Sequence, residues 1–177
     1  MKKIILFGFI FLFAQLTHSE DLESGVRDYS KTGDWNDFKI ADGPFGRIAA
    51  TRAATEDKRT NATLAFTYPT NDKCKLAPVE LIYKQKSPSE DDSENNIYGN
   101  VQIDSGEFKR IEAKLIEQKG NEFVFIVIEG KGFDNFVKNG KILTVNFKGF
   151  GVNEFSLDGA KAALDSAKSE CKNFDFS

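Results

Sequence analysis

Histidine is almost missing from this chain of 177 residues. The single copy, His18, closes an apolar N-terminal run. That run reads as a removable leader, so the mature protein is expected to carry no imidazole. This excludes His-based acid–base catalysis, catalytic triads and the commonest metal ligand. Cysteine is scarce as well. Cys74 and Cys171 are spaced unlike a zinc site, and no His is at hand to complete one. No second apolar run approaches the roughly 20 residues a bilayer span needs. A basic stripe is also lacking: 24 Lys and Arg are scattered among 27 Asp and Glu, for a net charge of −3. Binding of nucleic acid by phosphate attraction is therefore disfavoured, as is adsorption to anionic lipid. Gly-rich phosphate loops and a Gly-x-Ser-x-Gly stretch are absent too. The expectation is no metal, no cofactor, no nucleic acid and no membrane span once the leader is gone.

What is present begins with that leader. Lys2 and Lys3 precede an apolar run over residues 4–16, and Thr17-His18-Ser19 places small side chains before a cut after Ser19. That is the layout of a secretory signal peptide. A retained anchor is the other reading, and the polar residues that follow at once weigh against it. The chain thus divides into a signal peptide (1–19), a loose polar lead-in (20–34) and one domain (35–177), with a periplasmic or secreted destination. In an oxidising compartment an isolated Cys pair is most simply a disulfide. Bridged, Cys74 and Cys171 would close a loop of about 100 residues, worth roughly 4–5 kcal/mol by the chain-entropy model. Two buried free thiols are the alternative.

The domain alternates with a period of two. Leu64, Phe66 and Tyr68; Val79, Leu81 and Tyr83; Ile111, Ala113 and Leu115; and Leu143, Val145 and Phe147 each share one side of a strand. Residues 123–128 are apolar on both sides, as in a strand covered on both faces. Weaker strand patterns cover 48–55 and 97–103. Asp104-Ser105-Gly106 and Lys119-Gly120-Asn121 read as tight turns, and Asn61-Ala62-Thr63 as a polar turn entering a strand. The period then changes: Ala160, Ala163, Leu164, Ala167 and Cys171 mark one face of a helix, with Asp158 placed to cap it. A short helix over 133–137 is bracketed by Gly132 and Gly140. These patterns predict a mainly β fold: an antiparallel β-sandwich or half-barrel with a C-terminal helix packed on it.

Candidate contact residues are few. Glu90, Asp91, Asp92 and Glu94 sit in an almost wholly polar stretch, 87–96, expected to be a solvated loop. Their spacing is not that of an EF-hand, so a charged exposed loop is favoured over calcium binding. Trp35, Phe38 and Phe45 are the noteworthy aromatics. Trp35 and Phe45 are carried forward as contact residues, although core packing is the commoner fate of a lone Trp. Asp104 with Glu107, or Glu112 with Glu117, could in principle form a glycosidase carboxylate pair, but nothing in the sequence selects one. Ser166 and Lys168 lie on the terminal helix and read as surface.

The ending Phe155-Ser156-Leu157-Asp158-Gly159-Ala160, followed by Ala162-Ala163-Leu164 and Cys171, resembles the close of the invasion-associated locus B family of small exported bacterial proteins. The resemblance covers about the last tenth of the chain. It implies a non-enzymatic periplasmic or secreted protein acting through contacts with other proteins or with a host, and it carries over no functional residue. The leading expectation is an exported, non-catalytic binding or accessory protein with an unidentified protein partner. The alternatives are an inhibitor of an envelope-directed hydrolase, presenting the acidic loop, and a carboxylate-dependent glycosidase.

Overall fold

A computed structural model describes residues 25–43, 46–129 and 132–174. The proposed leader and Phe45 lie outside the described residues. Among these residues ten strands form one antiparallel sheet: β1 (Val26–Thr32), β2 (Trp35–Ala41), β3 (Ile48–Asp57), β4 (Ala62–Pro69), β5 (Val79–Lys84), β6 (Ser93–Ile103), β7 (Lys109–Glu117), β8 (Phe123–Ile128), β9 (Ile142–Phe147) and β10 (Gly151–Ser156). Their order across the sheet is β1-β2-β3-β4-β5-β8-β7-β6-β9-β10. Two helices follow β8 and β10 respectively: α1 (Phe133–Val137) and α2 (Ala160–Lys172).

The architecture is the half-barrel rather than two separate sheets. The sheet curls until β10 meets the strands at its other end. The residues that alternate inward explain the curl: Leu64, Phe66, Tyr68, Val79, Leu81, Val101, Ile126, Leu143, Val145, Phe147 and Phe155 join one core with Trp35 and the apolar side of α2. Burial of that surface, at about 25 cal/mol per Å², is what favours curling over a flat sheet. β8 is buried on both faces at Val124, Phe125, Ile126 and Ile128. A second, smaller cluster of Phe38, Ile40, Ala50, Ala54 and Ala65 lies on the opposite side of β2–β4.

Gly99 on β6 lets the sheet close tightly. It pairs with Phe147 of β9, and a Cβ there would sit 2.5 Å from the Phe147 ring and 2.6 Å from the carbonyl oxygen of Asn146.

Cys74 and Cys171 are joined by a disulfide across a sequence separation of 97. Both are buried. The bridge ties α2 to the segment between β4 and β5. Thr51 Oγ1 donates to the carbonyl of Ala167 at 2.5 Å, and Ser166 Oγ donates to Asp37 at 2.8 Å, so β2 and β3 also grip the helix.

Three expectations need correction. The lead-in is not loose throughout: Val26–Thr32 is strand β1, paired along β2 with a bulge between Arg27 and Ser30. The stretch 87–96 is not all loop, because Ser93–Asn96 pair with Glu117–Lys114 as the start of β6. Asp158 does not cap α2. The cap position is Gly159, at φ 87°, where a Cβ would meet the Thr32 carbonyl oxygen at 1.9 Å. Backbone space, not a carboxylate, decides that corner.

Candidate contact surfaces

Trp35 is a seam residue rather than a contact residue. It is wholly buried, its ring lies 5.7 Å from that of Phe66, and its indole Nε1 donates to the Ser156 carbonyl at 2.8 Å. Ser156 belongs to β10, whose outer edge has no ladder partner among the described residues. Asp57 of β3 does the same work nearby: its carboxylate accepts from the backbone N–H of Glu154 at 2.7 Å. The Asp34 N–H donates to the Asp158 carbonyl at 3.0 Å just beyond. Individual hydrogen bonds thus close the barrel where a ladder would otherwise run. Behind them Thr60 donates to Asn153 Oδ1, and Asn153 Nδ2 donates to the Tyr83 hydroxyl, each at 2.8 Å. Burial raises the Tyr83 phenol to about 12.

Two buried carboxylates behave oppositely. Burial alone would raise Asp57, but hydrogen bonds from the Arg59 guanidinium and from the Glu154 and Arg59 backbone N–H groups outweigh it and hold the carboxyl below its ordinary value. Asp37 faces α2; burial raises it, the Ser166 hydroxyl opposes this in part, and Glu170 adds to the rise. They serve the seam and the helix dock respectively. The carboxylate pairs raised from sequence are also placed. Asp104 accepts from the Lys141 and Ile142 backbone N–H groups, each at 2.9 Å. Glu117 accepts from Ser93 and Gln85, while Glu112 lies on the outer face of β7.

The acidic residues follow the crossing from β5 to β6. Glu90, Asp91, Asp92 and Glu94 are exposed. Asp92 accepts from the Lys119 backbone N–H at 2.8 Å, and Glu94 pairs with Lys114 at 2.7 Å. Among the described residues no three His, Cys, Asp or Glu side chains gather as a metal site.

The exposed apolar side chains concentrate elsewhere. Among the described residues Tyr98 (53 % exposed), Phe108 (63 %), Ile142 (46 %) and Val152 (49 %) belong to the β7-β6-β9-β10 half of the sheet or its turns, while Tyr29 (45 %) lies on β1. Phe108 stands just before β7, where the hairpin end is pinned from two directions. Asp104 holds the start of β9 as described, and Gln102 Nε2 donates to the Gly106 carbonyl at 2.6 Å. Lys109 lies over the Phe136 ring at 4.8 Å. On the outward side of β6, Arg110 stacks on Tyr98 at 4.5 Å. The sequence reading missed both aromatics. Alternation through Ile97, Gly99 and Val101 does put Tyr98 on the outer face, and that was the available signal.

Comparison with family models and with curated proteins finds no match. Among solved structures, the chain is similar to the crystal structure of invasion associated protein B from Bartonella henselae. The two are 13 % identical, the match covers 82 % of this chain and 99 % of that one, and the TM-score is 0.38. Among the described residues no helix is long and apolar enough to cross a membrane.

Proposed function

We propose that this chain is an exported, non-catalytic binding or accessory protein of the bacterial cell envelope or extracellular space, acting through protein contacts. The observation that carries the reading is Phe108. A phenyl ring 63 % exposed gives up on the order of 1–3 kcal/mol of burial. It stands on a hairpin end already fixed by Asp104 and Gln102, so docking a partner there orders little new structure. Ile142 is exposed beside the same pinned segment, and Lys109 adds charge at the edge. An aromatic anchor with an apolar neighbour and a polar rim is the make-up of an interaction hot spot. Export is supported by the composition of residues 1–19 and by a disulfide buried in the core. The inhibitor reading draws less support, because Asp92 and Glu94 of the acidic crossing already have partners within the fold.

The test is site-specific photo-crosslinking. A photoreactive phenylalanine replaces Phe108 in the full chain, expressed with its leader in its own host, and a second probe at exposed Lys58 serves as control. The expected result is a discrete protein adduct from position 108 in the envelope or culture fluid and none from position 58. No adduct from 108, or the same adducts from both positions, refutes the reading.

A further inference from the structure

The sequence contains a single Asn-Gly step, Asn139-Gly140, in the loop that leads from α1 into β9. The carbonyl carbon of an Asn side chain is an electrophile within reach of the next residue's backbone nitrogen. Closing a five-membered ring between them is the ordinary route of Asn deamidation. Glycine in second place removes the Cβ that hinders the approach and frees the backbone to make it. In folded chains the reaction is held back where that backbone N–H is tied up in a helix or a ladder.

The fold leaves this step open. Asn139 is exposed, and it lies with Gly140 between the end of α1 at Val137 and the start of β9 at Ile142. Among the described residues no hydrogen bond holds the Gly140 N–H or the Asn139 amide. The next two N–H groups are held: Lys141 and Ile142 donate to Asp104 Oδ1, each at 2.9 Å. Other exposed asparagines differ. Asn100 and Asn146 sit in ladders and precede Val101 and Phe147, whose side chains obstruct the approach. After Asn61 the Ala62 N–H donates to the Thr60 hydroxyl at 3.3 Å. After Asn173 the Phe174 N–H donates to the Cys171 carbonyl at 2.9 Å.

We infer that Asn139 is a self-modification site, at which the chain converts the amide to aspartate and isoaspartate through a succinimide closed on the Gly140 nitrogen. That nitrogen bonds to Cγ of Asn139 and gives up its proton. The Cγ–Nδ2 bond breaks, and ammonia leaves with the proton. One water then opens the ring. Attack at Cγ restores the ordinary main chain with an aspartate side chain. Attack at the main-chain carbonyl leaves isoaspartate, whose main chain runs through Cγ and is one methylene longer. No oxidant, reductant or second enzyme takes part.

The two products act differently on the fold. Aspartate changes only the charge of an exposed side chain. Isoaspartate lengthens the backbone directly before a residue with no spare room. A Cβ on Gly140 would stand 2.3 Å from Ile103 Cγ2 and 3.0 Å from Leu157 Cδ1. The extra length is therefore taken up on the other side, where Lys141 and Ile142 are drawn off Asp104. The site thus limits how long the hairpin end beside Phe108 stays pinned. This goes beyond the protein-contact reading and does not rest on it.

The experiment incubates the full chain, recovered from an exporting host with its disulfide formed, at about 37 °C at pH 6 and at pH 8. Mass spectrometry of the glutamate-specific fragment 130–154 follows the exchange of NH for O at Asn139. Endoproteinase Asp-N, which cuts before aspartate and not before isoaspartate, separates the products. The expected result is conversion at Asn139 ahead of every other asparagine, faster at pH 8, where more of the backbone nitrogen is deprotonated. Asn139→Gln should abolish it, because its ring would have six members and closes far more slowly. Asn139→Asp, made directly, should keep the thermal midpoint of fresh wild type. The isoaspartate form, isolated by chromatography, should melt about 2–4 °C lower, the shift for losing about one such contact in a domain of this size. Asn139 still intact when a free peptide of residues 136–142 is fully converted overturns the inference, as does a rate no higher at pH 8. An isoaspartate form that melts with fresh wild type overturns the link to Asp104. None of these readouts needs a partner, so a failed crosslink at Phe108 leaves them standing, and their failure leaves the protein-contact reading untouched.

Discussion

The Asp57 carboxylate on β3 accepts a hydrogen bond at 2.7 Å from the backbone N–H of Glu154 on β10. A buried side chain thus does at the barrel seam what the next strand would do in a closed barrel. The Arg59 side chain and the Arg59 backbone N–H bind the same carboxylate, which keeps it ionised in the interior. Asp57→Asn keeps the shape but loses the charge in these bonds. The expected cost at pH 7 is about 2 kcal/mol, the usual worth of hydrogen bonds to a charged group. Because the folded carboxyl sits below its unfolded value of 3.8, its contribution is complete above that value and disappears as pH falls through the folded one. Urea unfolding followed by Trp35 fluorescence should therefore show the gap between wild type and Asp57→Asn narrowing only as pH falls below 3.8. Equal stability at pH 7 would mean that the seam does not depend on this carboxylate.

Asp37 predicts the opposite sign. Burial between β2 and α2 raises its carboxyl above the unfolded value, so its contribution is fully present below 3.8 and declines as pH rises through the folded value. At neutral pH the protein holds a charge that its surroundings disfavour. Asn at this position still accepts from Ser166, whose hydroxyl is 2.8 Å away. Asp37→Asn should raise the urea midpoint at pH 7 and leave it unchanged near pH 3. A lowered midpoint at pH 7 would show that the ionised form is needed to dock α2.

The disulfide yields a third expectation. Cys74 and Cys171 are both buried, so reductant should reach them only through opening of α2. Intact mass under native conditions should retain the bridge in reductant, and lose it once denaturant is added. Cys171→Ala should cost roughly 3–5 kcal/mol, since a loop of 97 residues is released in the unfolded chain. Thermal unfolding measures the loss. A bridge reduced readily without denaturant would place the helix among the first parts to open.

These effects show why parts of the fold could be read from the residues and others could not. β4, β5, β7 and β9 announce themselves because one face of each enters the core, so Leu64, Leu81, Ala113 and Val145 recur at every second position. β1 has no such pattern. It is an edge strand, and the stretch Val-Arg-Asp-Tyr-Ser-Lys-Thr is wet on most positions. β10 is obscured differently: one of its inward residues is Asn153, a polar side chain accepted in the interior because Thr60 and Tyr83 satisfy it. Curling brings residues about 100 positions apart together, so no local pattern could tell that Trp35 meets Ser156. The contact surfaces were hidden for the converse reason. Acidic residues 90–94 are conspicuous in the sequence yet partly engaged by Lys119 and Lys114, whereas Tyr98 and Phe108 stand out only once register and exposure are known.

Gly99 makes a sharper steric prediction. Any side chain on it must displace the Phe147 ring or the backbone at Asn146. Gly99→Ala should destabilise by about 1–3 kcal/mol, the range for overpacking a tight core. It should also disturb the neighbouring Tyr98–Arg110 stack, which near-ultraviolet circular dichroism can follow. An unaffected thermal midpoint would mean that β6 and β9 can separate slightly at no cost.

The last prediction concerns cooperation between the two seam bonds. Trp35→Phe keeps an aromatic ring against Phe66 but removes the indole N–H, leaving the Ser156 carbonyl without that donor. Alone it should cost about 1–2 kcal/mol, part from the lost hydrogen bond and part from lost volume. Asp57 and Trp35 grip β10 two residues apart, at Glu154 and Ser156. If the strand edge releases as a unit, the first variant frees it and the second finds less to lose. The double variant Trp35→Phe/Asp57→Asn should then cost less than the two single variants added together, by at least about 0.5 kcal/mol, beyond the scatter expected of independent sites. Far-ultraviolet circular dichroism in urea measures all four proteins without needing the tryptophan. Strict additivity would show that each bond holds its own residue, and that β10 is kept in place by Phe155 and the core beneath it.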